Sequence, residues 1–207
     1  MYVPSHFEES RQEVLHDFIV THPFGALITH SADGLDANHL PFELDVKAGE
    51  YGLLRAHVAR NNPVWQSIKN GDDVLIVFRS DDAYVSPNWY PSKHEAHEQV
   101  PTWNYRVVHA HGRITVHDDE KYVRGVVARL TKKFEASEAI PWKMGDAPQD
   151  YIDMRLQAIV GIEIDITRLF GKFKLSQNRE VRDRLNAGKV LVDKGSSILG
   201  NAMLDVQ

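Results

Sequence analysis

Residues 25 to 58 read GALITHSADGLDANHLPFELDVKAGEYGLLRAHV, and the punctuation of that stretch decides the fold class. Short apolar runs are separated by an Asp33-Gly34 pair and by a polar segment from Lys47 to Glu50 that contains a glycine. Both are turn compositions of β-hairpins, so three antiparallel strands in a meander are predicted. Upstream, Val14, Leu15, Phe18 and Ile19 recur at helical spacing between Glu8 and Thr21, and Pro23 ends the pattern. Downstream, Pro63 to Lys69 reads as a short helix, with Asn62 as its cap and Asn70-Gly71 as its stop. The apolar run from Val74 to Phe78 reads as a strand covered on both faces. A second hairpin is predicted through Ser80-Asp81-Asp82 into AYVS.

Pro87 to Pro101 carries three prolines and several charges. It reads as a long surface loop, and loops of that length are more often functional than idle. TWNYRVVHAHGRITV, residues 102 to 116, follows as a long strand in which Gly112 marks a bulge or a closely approached backbone. Asp118 to Ala136 is the clearest helix, with Tyr122, Val126, Val127, Leu130 and Phe134 on one face. VGIEIDI, residues 160 to 166, alternates apolar with acidic side chains and reads as a closing strand, one face packed and one wet. Together these read as a mainly β fold with added helices, a six-stranded antiparallel barrel by approximate count, whose closure would remove exposed edges. It is expected over residues 1–170, with a helical extension over 171–207.

Composition narrows the chemistry. At 207 residues, 43% hydrophobic and 26% charged, the chain has the balance of one folded domain with a short appendage. Its net charge of -5 argues against gripping nucleic acid with the whole surface. The absence of cysteine excludes disulfides, thiolate nucleophiles, iron–sulfur clusters and Cys-rich zinc sites. The first residues, MYVPSHFEESRQ, lack the basic and apolar regions of a signal peptide, and no apolar stretch approaches the roughly 20 residues of a membrane span. A cytoplasmic protein is expected.

Four stretches carry candidate chemistry. LLRAHVARNNP, residues 53 to 63, gathers Arg55, His57, Arg60 and Asn61 before a helix start; this suits a phosphate, and equally a solvated surface with a cap. On the strand from Thr102, Trp103 and Tyr105 share one face, and Asn104 and Arg106 share the other. The aromatic face would suit a flat ligand, although core filling is the commoner use of such rings. KLSQN, residues 174 to 178, is a polar run that could reach a phosphate or a sugar chain, or could cap a helix through Asn178. His109 with His111, or His94 with His97, could ligate a metal, but no third ligand is placed, so no metal is expected.

Read together, MYVPSHF, HPFGALIT, HLPFELD, AHVARNNP, AYVSPNWY, VPTWNY and GKFKLSQNR resemble the PaiB-type FMN-binding negative transcriptional regulators, in order from Met1 to about Arg184. The resemblance implies a split barrel similar to the pyridoxamine-phosphate-oxidase-like flavoproteins, in which a homodimer builds two FMN sites at its shared interface. It implies His57, Arg60 and Asn61 as phosphate ligands. It further implies Asn104, Tyr105 and Val107, with His39 and Leu40, against the isoalloxazine. Arg60-Asn61-Asn62 departs from the usual pattern at that point, so the resemblance does not fix the phosphate register. Lys174, Ser176 and Gln177 are candidates for contact from the partner subunit. A regulator or flavin-dependent sensor is the implied function. A flavin-dependent oxidoreductase of a small substrate is the alternative, weakened by the absence of a Gly-rich dinucleotide fingerprint after a strand. No catalytic residue is assigned. The segment Arg168 to Lys189, with seven basic residues against two acidic ones, is a possible DNA contact, although it shows no helix-turn-helix pattern.

Overall fold

The computed structural model describes residues 1–206. Its strands are β1 (Glu8–Glu9), β2 (Phe24–Ser31), β3 (Gly34–Pro41), β4 (Glu43–Asp45), β5 (Leu53–Ala59), β6 (Asp73–Val85), β7 (Thr102–His117) and β8 (Ile159–Lys174). Its helices are α1 (Gln12–Thr21), α2 (Val64–Ser67), α3 (Lys93–Ala96), α4 (Glu120–Phe134), α5 (Gln149–Gln157), α6 (Val181–Asp193) and α7 (Ser197–Leu204). Two compact units interleave along the chain. The first takes Met1–Leu15, Arg79–Val108 and the described chain from Phe170; the second takes His16–Phe78 and His109–Leu169.

In the second unit β2 and β3 form the predicted hairpin, in register from Phe24 opposite Pro41 to Ser31 opposite Gly34. Gly34 holds a φ of +105° at the turn, a conformation open to glycine and strained for other residues. The predicted meander then divides. Proline ends the β3 ladder at Pro41, since it has no N–H to donate. Phe42, fully buried, turns the chain with its N–H on Pro23 O. β4 pairs instead with β5, Leu44 opposite Leu54, and β5 pairs with β8 from Leu53 opposite Asp165 to Ala59 opposite Ile159.

The strand order is β3-β2-β6-β7-β8-β5-β4, with β1 paired to β8. The expected six-stranded closed barrel is therefore corrected to an open, eight-stranded antiparallel sheet with added helices. The strands differ because the LDANHLPFELD run supplies two and Glu8–Glu9 a short extra one, while the two predicted on either side of Ser80 are one. Gly112 serves close backbone approach: a Cβ there would lie 2.4 Å from Asp165 O.

The predicted hairpin at Ser80-Asp81-Asp82 is absent, because Asp73–Val85 is one strand. Its burial alternates through Ser80, slips by one residue at the exposed Asp81-Asp82 pair, then resumes at Ala83, as at a β-bulge. α4 matches the expected helix, with Asp119 accepting from Tyr122 N at 2.8 Å as its cap and Val123, Val126 and Leu130 buried.

The first unit is built around Val85, Tyr90, Leu175, Leu191, Leu199 and Met203. α6 and α7 approach closely through two glycines; a Cβ on Gly200 would meet Gly188 O at 2.7 Å. The segment after β6 is anchored, not a free loop. Tyr90 is fully buried, and the buried carboxylate of Asp183 on α6 accepts from Ser92 N at 3.0 Å and from Ser92 Oγ at 2.5 Å.

Candidate functional site

The start of β7, in the first unit, separates its side chains as strand geometry requires. Asn104 points inward and is fully buried, while Trp103 is 54% exposed, so that ring is not a core filler. Trp103, Tyr105 and Val107 line a cleft of about 370 Å³ with Arg79, Asp82 and Arg106. The Tyr84 ring meets Trp103 edge-on at 6.1 Å, and the Lys172 ammonium lies 5.5 Å from the Tyr105 ring centre. Burial holds the Arg106 guanidinium below its ordinary pKa, partly offset by Asp81. Arg79 is paired with Asp82 at the edge of the cleft, and the apolar aromatic wall beside them fits a flat ring system.

The KLSQN block packs behind this wall. Lys174 donates to Thr102 Oγ1 and, at 2.7 Å, to Trp103 O. Burial lowers its pKa, and the neighbouring cations Lys172 and Arg179 lower it further. Ser176 adopts a left-handed φ of +66° and its Oγ meets Asn104 Nδ2 at 2.9 Å and Tyr90 OH at 3.2 Å. Gln177 closes a local turn, accepting from Leu175 N at 2.7 Å and donating to Phe173 O at 2.5 Å. These polar side chains fix the backbone that carries Trp103. Asn178 is exposed and does not begin α6, whose cap position is Glu180.

His39, Leu40, His57, Arg60 and Asn61 all lie in the second unit. His39 is exposed on β3 and stacks with Phe24 at 6.3 Å; Leu40 is half-buried. His57 lies on β5 with Nδ1 buried and without a hydrogen-bond partner among the described residues, and burial lowers its pKa. Asn61 is exposed. Arg60 grips Asp118 with both terminal nitrogens, at 3.0 and 2.5 Å, and donates from Nε to Gln157 O at 2.6 Å. A phosphate at Arg60 would have to displace a carboxylate. Asn62 accepts from Val64 N, the first residue of α2, at 2.9 Å, although the cap position itself is Pro63.

A second cleft, of about 820 Å³, lies in this unit and was not legible in the sequence. At its floor Arg55, 17% exposed, faces Asp45 at 3.1 Å, Glu163 at 3.5 Å and Glu43 at 3.9 Å. Arg129 of α4 holds Glu43 at 2.6 Å. Tyr122 donates to Glu163 at 3.1 Å. Burial and the Glu163 carboxylate push the Tyr122 hydroxyl well above its usual pKa. The signal was the cross-strand register that sets Glu43 opposite Arg55, which the order of residues alone does not reveal. Among the described residues, no group of three or more His, Asp or Glu side chains is arranged to hold a metal ion. No described helix is long and apolar enough to cross a membrane.

Of the basic residues between Arg168 and Lys189, Arg182 forks onto Glu95 at 2.6 Å twice. Arg184 is buried, Lys174 is bound to the β7 backbone, and Lys172 donates to Tyr2 O at 3.2 Å.

The sequence pattern of a family described as "Putative FMN-binding domain" matches residues 1–168. The chain is 30% identical over 186 residues to "Protease synthase and sporulation protein PAI 2" of Bacillus subtilis (strain 168), covering 90% of this chain and 86% of that one. Among solved structures it superposes on the flavocytochrome Anf3 from Azotobacter vinelandii with a TM-score of 0.60 and 13% identity, over 83% of this chain and 72% of that one. It also superposes on an FAD and heme binding protein from Mycobacterium smegmatis with a TM-score of 0.60 and 15% identity, over 81% and 73%. At those identities the two structures establish a shared fold only. The match through residue 168 and the relative that spans nine-tenths of the chain establish the family: this protein belongs to the FMN-binding domain family, whose cofactor is FMN.

Proposed function

We propose that the chain holds FMN with its isoalloxazine ring against Trp103, Tyr105 and Val107, and that its output is regulatory. The observation that carries this reading is the cleft at the start of β7, where an exposed tryptophan, a tyrosine and a valine meet Arg106 and the Arg79–Asp82 pair. Bound there, FMN would supply a two-electron redox centre. The chain's own residues orient the ring by stacking, and Arg106 faces the negative charge that the ring takes up on reduction, while Arg79 is held by Asp82. Ser176, Asn104 and Lys174 hold the wall in place from behind.

A regulatory output in the cytoplasm is supported by the resemblance to negative transcriptional regulators and by a relative named for protease synthase and sporulation. A homodimer with the cofactor at its interface is supported by β3, which stands at one end of the strand order and leaves Leu35 77% exposed. His57, Asn61, His39 and Leu40 are then the second unit's candidates for cofactor contact.

Tryptophan fluorescence tests the placement. Added FMN quenches the wild type saturably, and Trp103→Phe removes most of the quenching while retaining the fold. Equal quenching in the variant would move the ring away from this wall. Steady NADH oxidation by the FMN-loaded protein would favour the oxidoreductase alternative over the regulator.

A further inference from the structure

A smaller pocket of about 270 Å³ opens between α4, α5 and the connection that joins them. Its floor includes Val127, Ile152 and Leu156, and two partly exposed rings, Trp142 and Tyr151, stand at its sides. The connection is braced around Trp142: its backbone N–H donates to Glu135 Oε2 at 2.9 Å, and Lys143 N donates to Asp146 Oδ2 at 2.8 Å. The single charged side chain in the lining is Arg155, and the lining contains no acid.

Neighbouring arginines on these helices are already neutralised. Arg124 holds Glu120 at 2.8 Å and Asp153 at 2.5 Å, and Arg129 holds Glu43 at 2.6 Å. Arg155 has no acidic partner among the described residues. An apolar slot with an unneutralised guanidinium at its rim selects a ligand with an apolar ring at one end and one negative charge at the other. The volume falls below the roughly 300–1,000 Å³ of drug-sized sites, which restricts the ligand to one or two rings. A protein partner would need roughly 800 Å² of its own surface buried for a stable contact, far more than this slot offers.

The geometry points to a binding site for a small aromatic monocarboxylate at Arg155, Trp142 and Tyr151, independent of the FMN site. Calorimetric titration of the full chain with 1-naphthoate and with its neutral amide tests it. Naphthoate binds saturably and about tenfold more tightly than the amide, the difference expected of a charge-assisted hydrogen bond. Arg155→Gln, an exposed substitution that leaves the fold intact, removes that difference and leaves amide binding unchanged. Trp142→Ala weakens both ligands, and excess FMN displaces neither. Equal affinity for acid and amide, an unaltered preference in Arg155→Gln, displacement by FMN, or no saturable binding would each overturn the assignment.

Discussion

Removing the Asp183 carboxylate should be among the most damaging single changes in the first unit. The group is fully buried and takes two donors from one residue, Ser92 N at 3.0 Å and Ser92 Oγ at 2.5 Å. Hydrogen bonds to a charged group contribute about 1.5–3 kcal/mol each, and a buried donor left without a partner costs about 1–3 kcal/mol. Asp183→Ala deletes both bonds and strands the Ser92 amide, so a loss of about 3–5 kcal/mol is expected. Asp183→Asn keeps one acceptor and turns an amide donor toward the other, for about 1–3 kcal/mol. With a urea slope of about 2 kcal/mol/M, the alanine variant should unfold at a midpoint about 1.5–2.5 M lower. Urea denaturation followed by tryptophan fluorescence measures this, and Ser92→Ala in the same background should add little, because the two residues act as one unit. A midpoint shift below about 0.3 M for Asp183→Ala would refute the view that this carboxylate pins the segment after β6.

Three further outcomes follow from the second unit. Gly161→Ala places a methyl group 2.6 Å from the Tyr122 ring, so it should destabilise by about 1–3 kcal/mol and weaken the Tyr122 to Glu163 hydrogen bond; thermal unfolding and the tyrosine absorbance titration report each effect. Burial lowers the pKa of His109 to about 4, below the unfolded value of about 6.5. The unfolded state then binds more protons between those limits, and stability falls as pH drops through that window; His109→Gln should flatten that part of a stability-against-pH curve. Arg55→Gln leaves Glu43, Asp45 and Glu163 facing one another without their shared cation, so the variant should be destabilised at neutral pH and regain ground on the wild type as acid protonates the carboxylates. A variant penalty that does not shrink in acid would contradict the last of these.

Much of the fold was legible because local signals agreed. Asp33-Gly34 marked a two-strand turn, Asp118 marked the start of α4 to within a residue of its Asp119 cap, and Gly112 marked a close approach between strands. What stayed hidden was pairing. Nothing local says that the chain leaves one end strand at Pro41 and enters the other at Glu43, or that Asp81-Asp82 is a slip inside a strand. For the site, the order of residues marked Trp103 and Tyr105 as a shared face, but their exposure depends on which neighbours cover them. It marked Arg60 as a cation near a helix start, while Asp118, 58 residues away, takes its fork. KLSQN stood out as polar; that it braces the wall from behind became visible only with Thr102, Asn104 and Tyr90 placed.

On the proposed function, flavin-stripped protein recaptures FMN at the Trp103 face. Equilibrium dialysis of flavin-stripped protein against FMN, read by visible flavin absorbance, tests it most directly. Near-stoichiometric retention of FMN by the wild type, sharply reduced in Trp103→Ala with Tyr105→Ala, is the result predicted. Retention of no flavin, or undiminished retention by the double variant, would contradict it.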